Sequence, residues 1–476
     1  MYVESSVDVG RHLRTTKEIM SPEAGTTQLS VSSKAITCCR EKQYTSFVRQ
    51  ILILLPLLPL YVAVVLIASR SPSGDSPGYI DNAARILHVI EGKPGPYTHI
   101  LKEAEAAGPV DPTQDLRLWW GPGYPLLLIP FVAFRLPWLV VELLNGLCHF
   151  VAILYFYALV HRYISRTAAL VTAVCLGLYP PLIRNVSAVG PEDFSVLLVC
   201  GFMFHFCALY NSSRRHLLHL LAASLYLTYL ALTKVFFGYV IVAVLAFFLV
   251  LLFFRRTFTI RIAIAVFLVA LSCCVPYLLY TYHLTGKLFY WGTSGGMSLY
   301  WMSTPYPNES GSWFSFRDVN ELPELAQHRP FFAKLKNLSD VERDDAFKKQ
   351  AVFNIIHHPF KYMLNWLANM GRLLISYPYS FTPQKLSTYF FMPNMFVAVL
   401  FVLSITPALL RRAAIPFELW ALLLFALTAI GGCSLLSAYE RQFRPMIPVL
   451  CTWLAFICVR VLRIELRSDR EISSFS

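Results

Sequence analysis

Long apolar runs separated by short polar stretches dominate this chain. Ten of these runs approach the roughly 20 residues that a helix needs to cross a bilayer. The pattern predicts spans at 51–68, 138–157, 168–183, 194–210, 217–232, 235–254, 260–282, 390–410, 417–436 and 446–461. It therefore predicts an all-α integral membrane protein with about ten transmembrane helices and both termini in the cytoplasm.

One apolar stretch is too short to be an eleventh span. Residues 124–134 read YPLLLIPFVAF, about half a span, and contain two prolines, so we expect a juxtamembrane helix there. Large external loops then cover about 69–136 and 283–388, and the second carries an interfacial helix at 359–377, which two basic residues interrupt. The predicted domains are a polar cytoplasmic arm (1–46), a membrane domain (47–463) and a cytoplasmic tail (464–476).

Composition agrees with a membrane protein and excludes an ordinary soluble domain. Of 476 residues, 56% are hydrophobic and 14% charged, and the mean hydropathy is +0.53. The net charge of +13 lies mainly in basic clusters at alternate loops, which the positive-inside rule assigns to the cytoplasm. The charge therefore reflects topology, and we expect no nucleic-acid partner.

The eleven cysteines indicate little chemistry. Most fall within predicted spans and none in a predicted external loop, so no disulfide framework is expected. Spacing of the CxxC or HExxH type is absent from the sequence. We predict no protein-bound metal site of these types.

Charged residues near the outer ends of spans are the candidates for function, because such charges are costly in or beside a membrane. Asp75 follows the first span in SGDSPGY, and Glu192 with Asp193 opens a later span in VGPEDF. Glu192 is favoured as a helix cap, whereas Asp193 suits a cap and a site equally well. Lys234, between two spans, either extends to the interface or meets an anionic headgroup.

The last external turn reads AYERQFRPMIP and carries two arginines against the positive-inside pattern. Arg441 and Arg444 suit phosphate, because a guanidinium offers several fixed donors and keeps its charge. The alternative is an internal pair between Glu440 and Arg444 at helical spacing. One glutamate does not neutralise both arginines, so an anionic ligand is the preferred interpretation.

The order of these elements resembles the GT-C superfamily of membrane glycosyltransferases, in particular the branch of protein O-mannosyltransferases and lipid A aminoarabinose transferases. The similar segments are GDSPGYIDNAARIL, GPGYPLLL, GPEDFSVLLV, YERQFRPMIPVL and the external run at 292–313, and they span most of 47–463. The acidic element after the first span is reduced here to Asp75, with Asp81 six residues on, and Gln442 replaces the late tyrosine. A lysine that often follows the juxtamembrane prolines is absent.

The resemblance implies a fold, a donor and a reaction. The donor would be a sugar on a polyprenyl phosphate, and the acceptor hydroxyl would belong to a lipid, a cell-envelope glycan such as lipopolysaccharide, or a protein. Asp75 would be the general base of an inverting transfer on the non-cytoplasmic face, with Glu192, Asp193 and Glu440 as supporting acids. Phosphate ligands would come from Arg441, Arg444, Lys234 and Arg117.

Further expectations follow from the same resemblance. Aromatic rings suited to sugar or lipid contact are Tyr79, Trp119, Trp120 and Tyr124, with Tyr300 and Trp301 in the second loop, although interfacial aromatics usually act as anchors. No cofactor is required, and a divalent cation is compatible with the chemistry. The likeness of 292–313 to bacterial members favours a bacterial inner membrane with the site facing the periplasm.

Two other functions stay open at this stage. A multi-pass transporter or lipid flippase would need mid-span ionisable groups or paired repeats with broken helices, and only Glu142 and His205 lie well inside spans. His205 is better explained as a histidine that packs or bridges helices. The third possibility is a non-catalytic scaffold with the same fold.

Overall fold

The computed structural model describes residues 52–69, 72, 74–93, 118–211, 215–381, 384 and 386–462. The chain divides into two units, residues 1–55 and 56–476. Only 52–55 of the first unit are described, so the fold below is that of the second. The predicted cytoplasmic arm (1–46) and tail (464–476) lie outside the described residues.

The described part of the second unit consists of helices joined by turns, and no strand occurs within it. Its α-helices, in chain order, are α1 Leu57–Ala68, α2 Ser76–Ile90, α3 Gly123–Ala133, α4 Trp138–Val160, α5 Arg166–Gly177, α6 Pro180–Ile183, α7 Glu192–Asn211, α8 His216–Thr233, α9 Phe236–Phe254, α10 Phe258–Cys273, α11 Val275–Thr285, α12 Gly295–Met302, α13 Phe316–Glu321, α14 Arg329–Leu335, α15 Asp340–His357, α16 Pro359–Ile375, α17 Thr388–Leu410, α18 Phe417–Ser434, α19 Glu440–Phe443 and α20 Ile447–Phe456. The predicted all-α membrane fold is confirmed.

Seven helices of the described chain are long and apolar enough to cross a membrane: α4, α7, α8, α9, α17, α18 and the run Glu440–Val461 that includes α19 and α20. The predicted span at 260–282 comprises two helices, α10 and α11, bent by 43°, and the number of spans is eight if this pair crosses as one. Pro276 explains the break, because proline at the second position of α11 lacks the N–H that a continuous helix requires. The predicted spans at 51–68 and 168–183 correspond to α1 and α5, of 12 residues each. The count of about ten spans is therefore not confirmed.

The second predicted loop contains a helical subdomain with its own core. Buried aromatic residues of α12 to α15 pack together, among them Tyr300, Trp301, Phe332 and Phe347. Serine capping boxes fix the starts of α13 and α15, where Ser315 and Ser339 satisfy backbone N–H groups that the first helical turn leaves unpaired. This segment is thus a folded helical subdomain and not an extended loop.

Helix α16 covers the interfacial helix predicted at 359–377, and its polar face points inward. Asn365, Asn369 and Arg372 are at most 1% exposed, whereas Phe360 and Met363 are 72% and 58% exposed. The buried amides and guanidinium donate to the carbonyls of Met302 (3.1 Å), Ser434 (2.8 Å), Leu436 (2.6 Å) and Ser310 (2.6 Å). Burial lowers the pKa of Arg372 to about 10. The helix therefore joins the subdomain to the turn after α18.

The stretch predicted as a juxtamembrane helix is helical, as the 11-residue α3. The loop before it approaches the end of α8 closely, since a Cβ on Gly121 would lie 2.0 Å from the carbonyl oxygen of Leu232. The Tyr229 hydroxyl also donates to the Gly123 carbonyl at 2.9 Å. This contact places the tryptophans that precede α3 next to the junction of α8 and α9.

Candidate functional site

A cavity of about 590 Å³ lies where the subdomain, the α2 helix and the ends of several spans meet. Its size is within the range of small-molecule sites. Seven residues predicted for the site line it: Asp75, Tyr79, Trp119, Trp120, Glu192, Lys234 and Arg441. Residues from opposite ends of the sequence therefore share one chamber.

An ion pair joins the first and last of these elements. Asp75 is the residue immediately before α2, and Arg441 lies in the short helix α19. The Arg441 Nη1 donates to Asp75 Oδ2 at 2.5 Å across 366 residues of sequence. Their side chains are 39% and 35% exposed, so both remain accessible from the cavity.

A second ion pair lies in the same cavity and is more deeply placed. Lys234 Nζ is 3.4 Å from Glu192 Oε1, and each side chain is 11% exposed. Lys234 has an extended backbone between α8 and α9, which turns its side chain into the cavity. Burial lowers the pKa of Lys234, and the carboxylate of Glu192 partly opposes this shift.

Aromatic rings form much of the remaining wall. The ring of Tyr79 lies 5.0 Å from that of Trp120, and the rings of Trp119 and Trp313 are 6.4 Å apart. Gly78 permits this packing, because a Cβ there would lie 2.0 Å from the Trp120 ring. Burial raises the pKa of the Tyr79 hydroxyl well above its usual value, so it stays protonated and can donate to a sugar.

Four predicted site residues lie outside the cavity lining. Asp193 is 2% exposed and its Oδ1 lies 3.1 Å from His149 Nδ1. Arg444 is 3% exposed and donates to Glu440 at 3.1 Å, which is the internal pair weighed from the sequence. Tyr124 is fully buried, 5.4 Å from the Tyr79 ring. Successive residues of a helix point about 100° apart around its axis. Asp193 therefore faces away from the cavity that the preceding Glu192 lines.

The remaining sequence candidates also lie outside the cavity lining or outside the described residues. Tyr300 and Trp301 belong to the subdomain core, and Arg117 lies outside the described residues. Asp81 pairs with Arg85 at 3.2 Å on one face of α2. His205 bridges two helices, with its Nδ1 2.9 Å from that of His219.

Several lining residues have no counterpart among the sequence candidates. Trp291, Lys348 and Tyr439 line the cavity from the subdomain and from the turn before α19. Lys348 belongs to the charged first half of α15, a pattern typical of a solvated helix. The run 292–313 was singled out from the sequence, and it contributes Gly295, Ser298 and Trp313 to the wall.

Among the described residues, no three His, Cys, Asp or Glu side chains are grouped so as to hold a metal ion. The cavity instead combines two carboxylates with three cationic side chains, those of Lys234, Lys348 and Arg441. Such an arrangement can bind an anion and accept a proton without a resident metal.

The fold and the cavity define a polytopic membrane protein with a polar chamber where its spans meet the helical subdomain. Residues 135–280 match the dolichyl-phosphate-mannose-protein mannosyltransferase family. This match supports a GT-C superfamily membrane glycosyltransferase, as the order of motifs predicts. No curated protein matches the sequence significantly.

The comparison with solved structures finds an archaeal oligosaccharyltransferase and ArnT, both with TM-scores below 0.5. The oligosaccharyltransferase AglB from Archaeoglobus fulgidus, in complex with an inhibitory peptide and a dolichol-phosphate, has a TM-score of 0.45 and 15% identity, covering 88% of this chain and 53% of that one. ArnT from Cupriavidus metallidurans, bound to undecaprenyl phosphate, has a TM-score of 0.37 and 12% identity, covering 86% of this chain and 76% of that one. The chain thus spans about half the length of AglB. Likenesses this distant leave the substrate to be argued from the site.

Proposed function

We propose that this protein transfers a sugar from a polyprenyl-phosphate donor to an acceptor hydroxyl, with inversion, on the non-cytoplasmic face of the membrane. The observation that carries the proposal is the contact of Asp75 with Arg441 inside the cavity. Asp75 and Arg441 share one chamber, which supports their roles as base and phosphate ligand. The family match to residues 135–280 supports the same class of reaction.

Asp75 is the candidate general base. In this reaction the acceptor oxygen bonds to the anomeric carbon while the bond from that carbon to the phosphate oxygen breaks. The acceptor proton passes to the Asp75 carboxylate, and the leaving oxygen keeps the electron pair as lipid phosphate. A carboxylate suits this task because its ionised form accepts a proton directly.

Arg441 and Lys234 are candidates for stabilising the charge that develops on the leaving phosphate. Arg441 uses one guanidinium nitrogen for Asp75, and a guanidinium offers five N–H donors. A phosphate that competes for Arg441 would also leave the Asp75 carboxylate available to the acceptor. Aromatic rings of Tyr79, Trp119 and Trp120 would pack against the sugar.

The test is sugar transfer by the purified protein in vesicles that contain a labelled polyprenyl-phosphate hexose or pentose. Lipid, glycan and peptide acceptors are offered in turn, and the label is followed into each. Transport of the donor between leaflets is measured on the same vesicles. Transfer to an acceptor supports the proposal, whereas donor movement without any transfer would favour the flippase.

Sidedness is tested separately, because the mechanism needs Asp75 and Arg441 on one face. Single cysteines introduced at the two positions, in a background without native cysteines, should react with an impermeant thiol reagent from the same side. We propose that this side is the periplasm of a bacterial inner membrane. Labelling from opposite sides would remove the shared site.

A further inference from the structure

A short segment between α18 and α19 carries Arg441 towards the cavity. Residues 434–438, which we call the arginine turn, precede α19, and Arg441 is the second residue of that helix. The contact of Arg441 with Asp75 does not fix this segment, because both side chains are more than a third exposed and exposed pairs are weak. The backbone of the arginine turn must therefore determine where the guanidinium stands.

Asn369 of α16 holds the arginine turn through three hydrogen bonds. Its Nδ2 donates to the carbonyls of Ser434 at 2.8 Å and Leu436 at 2.6 Å, and its Oδ1 accepts from the Ala438 N–H at 3.0 Å. Asn369 is fully buried, and Ser434 and Ala438 are buried as well. Water does not reach these groups to replace a lost partner, so removal of the amide leaves buried backbone groups unpaired.

Arg372 determines the orientation of the Asn369 amide. The Arg372 Nη2 donates to Asn369 Oδ1 at 3.0 Å. A guanidinium and a backbone N–H both act only as donors, so the Asn369 atom that meets Arg372 and Ala438 must be the oxygen. The amide nitrogen is thereby directed at the two carbonyls of the arginine turn.

The same arginine connects the arginine turn to the helical subdomain. Arg372 Nη2 also donates to the Gly311 carbonyl at 3.0 Å, and this carbonyl accepts from the Ser437 hydroxyl at 2.7 Å. Gly311 has a φ of +75°, a backbone conformation that favours glycine. Asn369 and Arg372 therefore fix the subdomain and the arginine turn to one point of α16.

We propose that Asn369 is a positioning residue for the donor phosphate: it holds the arginine turn so that the Arg441 guanidinium stays in the cavity. This inference rests on the proposed function for the role of Arg441. Asn369 does not line the cavity, and it acts through the backbone that leads into α19. A ligand-binding side chain keeps its geometry only when packing and hydrogen bonds around it fix its support.

Asn365 offers a matched control on the same helix. It lies one turn before Asn369 and is equally buried. Its Nδ2 donates two hydrogen bonds, to the carbonyls of Met302 at 3.1 Å and Thr304 at 3.0 Å. Neither carbonyl belongs to the arginine turn. Asn365→Ala therefore removes a comparable set of buried hydrogen bonds without releasing Arg441.

The experiment is a double-mutant cycle on the purified full-length protein in nanodiscs, with equilibrium binding of undecaprenyl phosphate as the measurement. Asn369→Ala should weaken binding about tenfold, the loss expected for a hydrogen bond to a charged group. In the Arg441→Gln background the same substitution should change binding by less than about twofold, because the guanidinium that Asn369 positions is already absent. Asn365→Ala should stay within about twofold in both backgrounds.

Two further measurements separate positioning from a general loss of structure. Amide hydrogen exchange of residues 435–443 should be faster in Asn369→Ala than in Asn365→Ala. In the transfer assay, Asn369→Ala should lower kcat/KM for the donor about tenfold and leave the acceptor KM within about twofold. If thermal unfolding shows that Asn369→Ala has lost its fold, Asn369→Asp replaces it, because aspartate keeps the acceptor for Arg372 and removes only the N–H donors.

The inference and the proposed function fail differently. Equal effects of Asn369→Ala and Asn365→Ala on binding, or an undiminished Asn369→Ala effect in the Arg441→Gln background, would refute the positioning role, and sugar transfer by the wild type would leave the proposed function intact. Binding with the expected coupling, but no transfer to any acceptor, would refute the proposed function and leave Asn369 as the support of a lipid-phosphate site.

Discussion

Replacing Asp75 by asparagine separates catalysis from structure at the centre of the proposed site. The side chain keeps its shape and can still accept a hydrogen bond from Arg441, but it no longer removes a proton. As general base, Asp75 would contribute about 10²–10⁴-fold to the rate, equivalent to ~2.7–5.5 kcal/mol of transition-state stabilisation. The variant should therefore lose at least two orders of magnitude in kcat.

The competing explanation is that Asp75 only holds Arg441 in place. Both side chains are more than a third exposed, and exposed pairs contribute only about 0.2–1 kcal/mol. Loss of such a pair changes an equilibrium by about fivefold at most. The two explanations therefore differ by a factor that a simple rate measurement resolves.

The assay is transfer of labelled sugar at saturating donor and acceptor, with folding checked by thermal unfolding. Asp345→Asn is the matched control, because Asp345 is also an exposed carboxylate paired with a lysine, Lys287, but does not line the cavity. It should retain the wild-type rate. An Asp75→Asn rate within fivefold of the control would refute Asp75 as the base.

Three further results are expected. Lys234 has a lower pKa in the folded protein than the 10.5 of an unfolded chain. At pH values between the two, the unfolded chain binds more protons than the folded one, so the free energy of unfolding rises with pH. Lys234→Met should abolish that rise in thermal unfolding below pH 10.5, and an unchanged slope would contradict it. Arg444→Gln should cost about 3 kcal/mol of stability, because it leaves the Glu440 carboxylate uncompensated. Its kcat per folded molecule should stay within threefold of wild type. A large loss of kcat in a folded variant would place Arg444 in the site. Gly78→Ala should force the Trp120 ring to move, cost ~1–3 kcal/mol and raise the donor KM, and unchanged stability and KM would contradict that packing.

The sequence identified which segments meet, because topology depends on apolar run length and on the positions of basic residues. Asp75, Glu192, Lys234 and Arg441 are each separated from the next by tens to hundreds of residues, and all four line the cavity. Their assignment to one end of the spans needed only hydropathy and charge. Helix α3 was recognised in the same way, as an apolar run too short to cross.

The direction of each side chain could not be obtained from the sequence. Glu192 lines the cavity and Asp193 does not, although the two are adjacent and have similar chemistry. Arg441 and Arg444 differ in the same way across a short helix that continues as a 3₁₀ turn. These directions depend on how neighbouring helices pack. Lys348 was missed for a related reason, since only the fold of the subdomain brings α15 to the cavity.

The contact of Asp75 with Arg441 has a consequence for biosynthesis. The two residues are 366 positions apart, so the ribosome completes one half of the site near the beginning of translation and the other near its end. A nascent chain still in the translocon, or a product truncated before the final span, contains the carboxylate and lacks its guanidinium partner. Such a chain holds only one half of the Asp75–Arg441 pair.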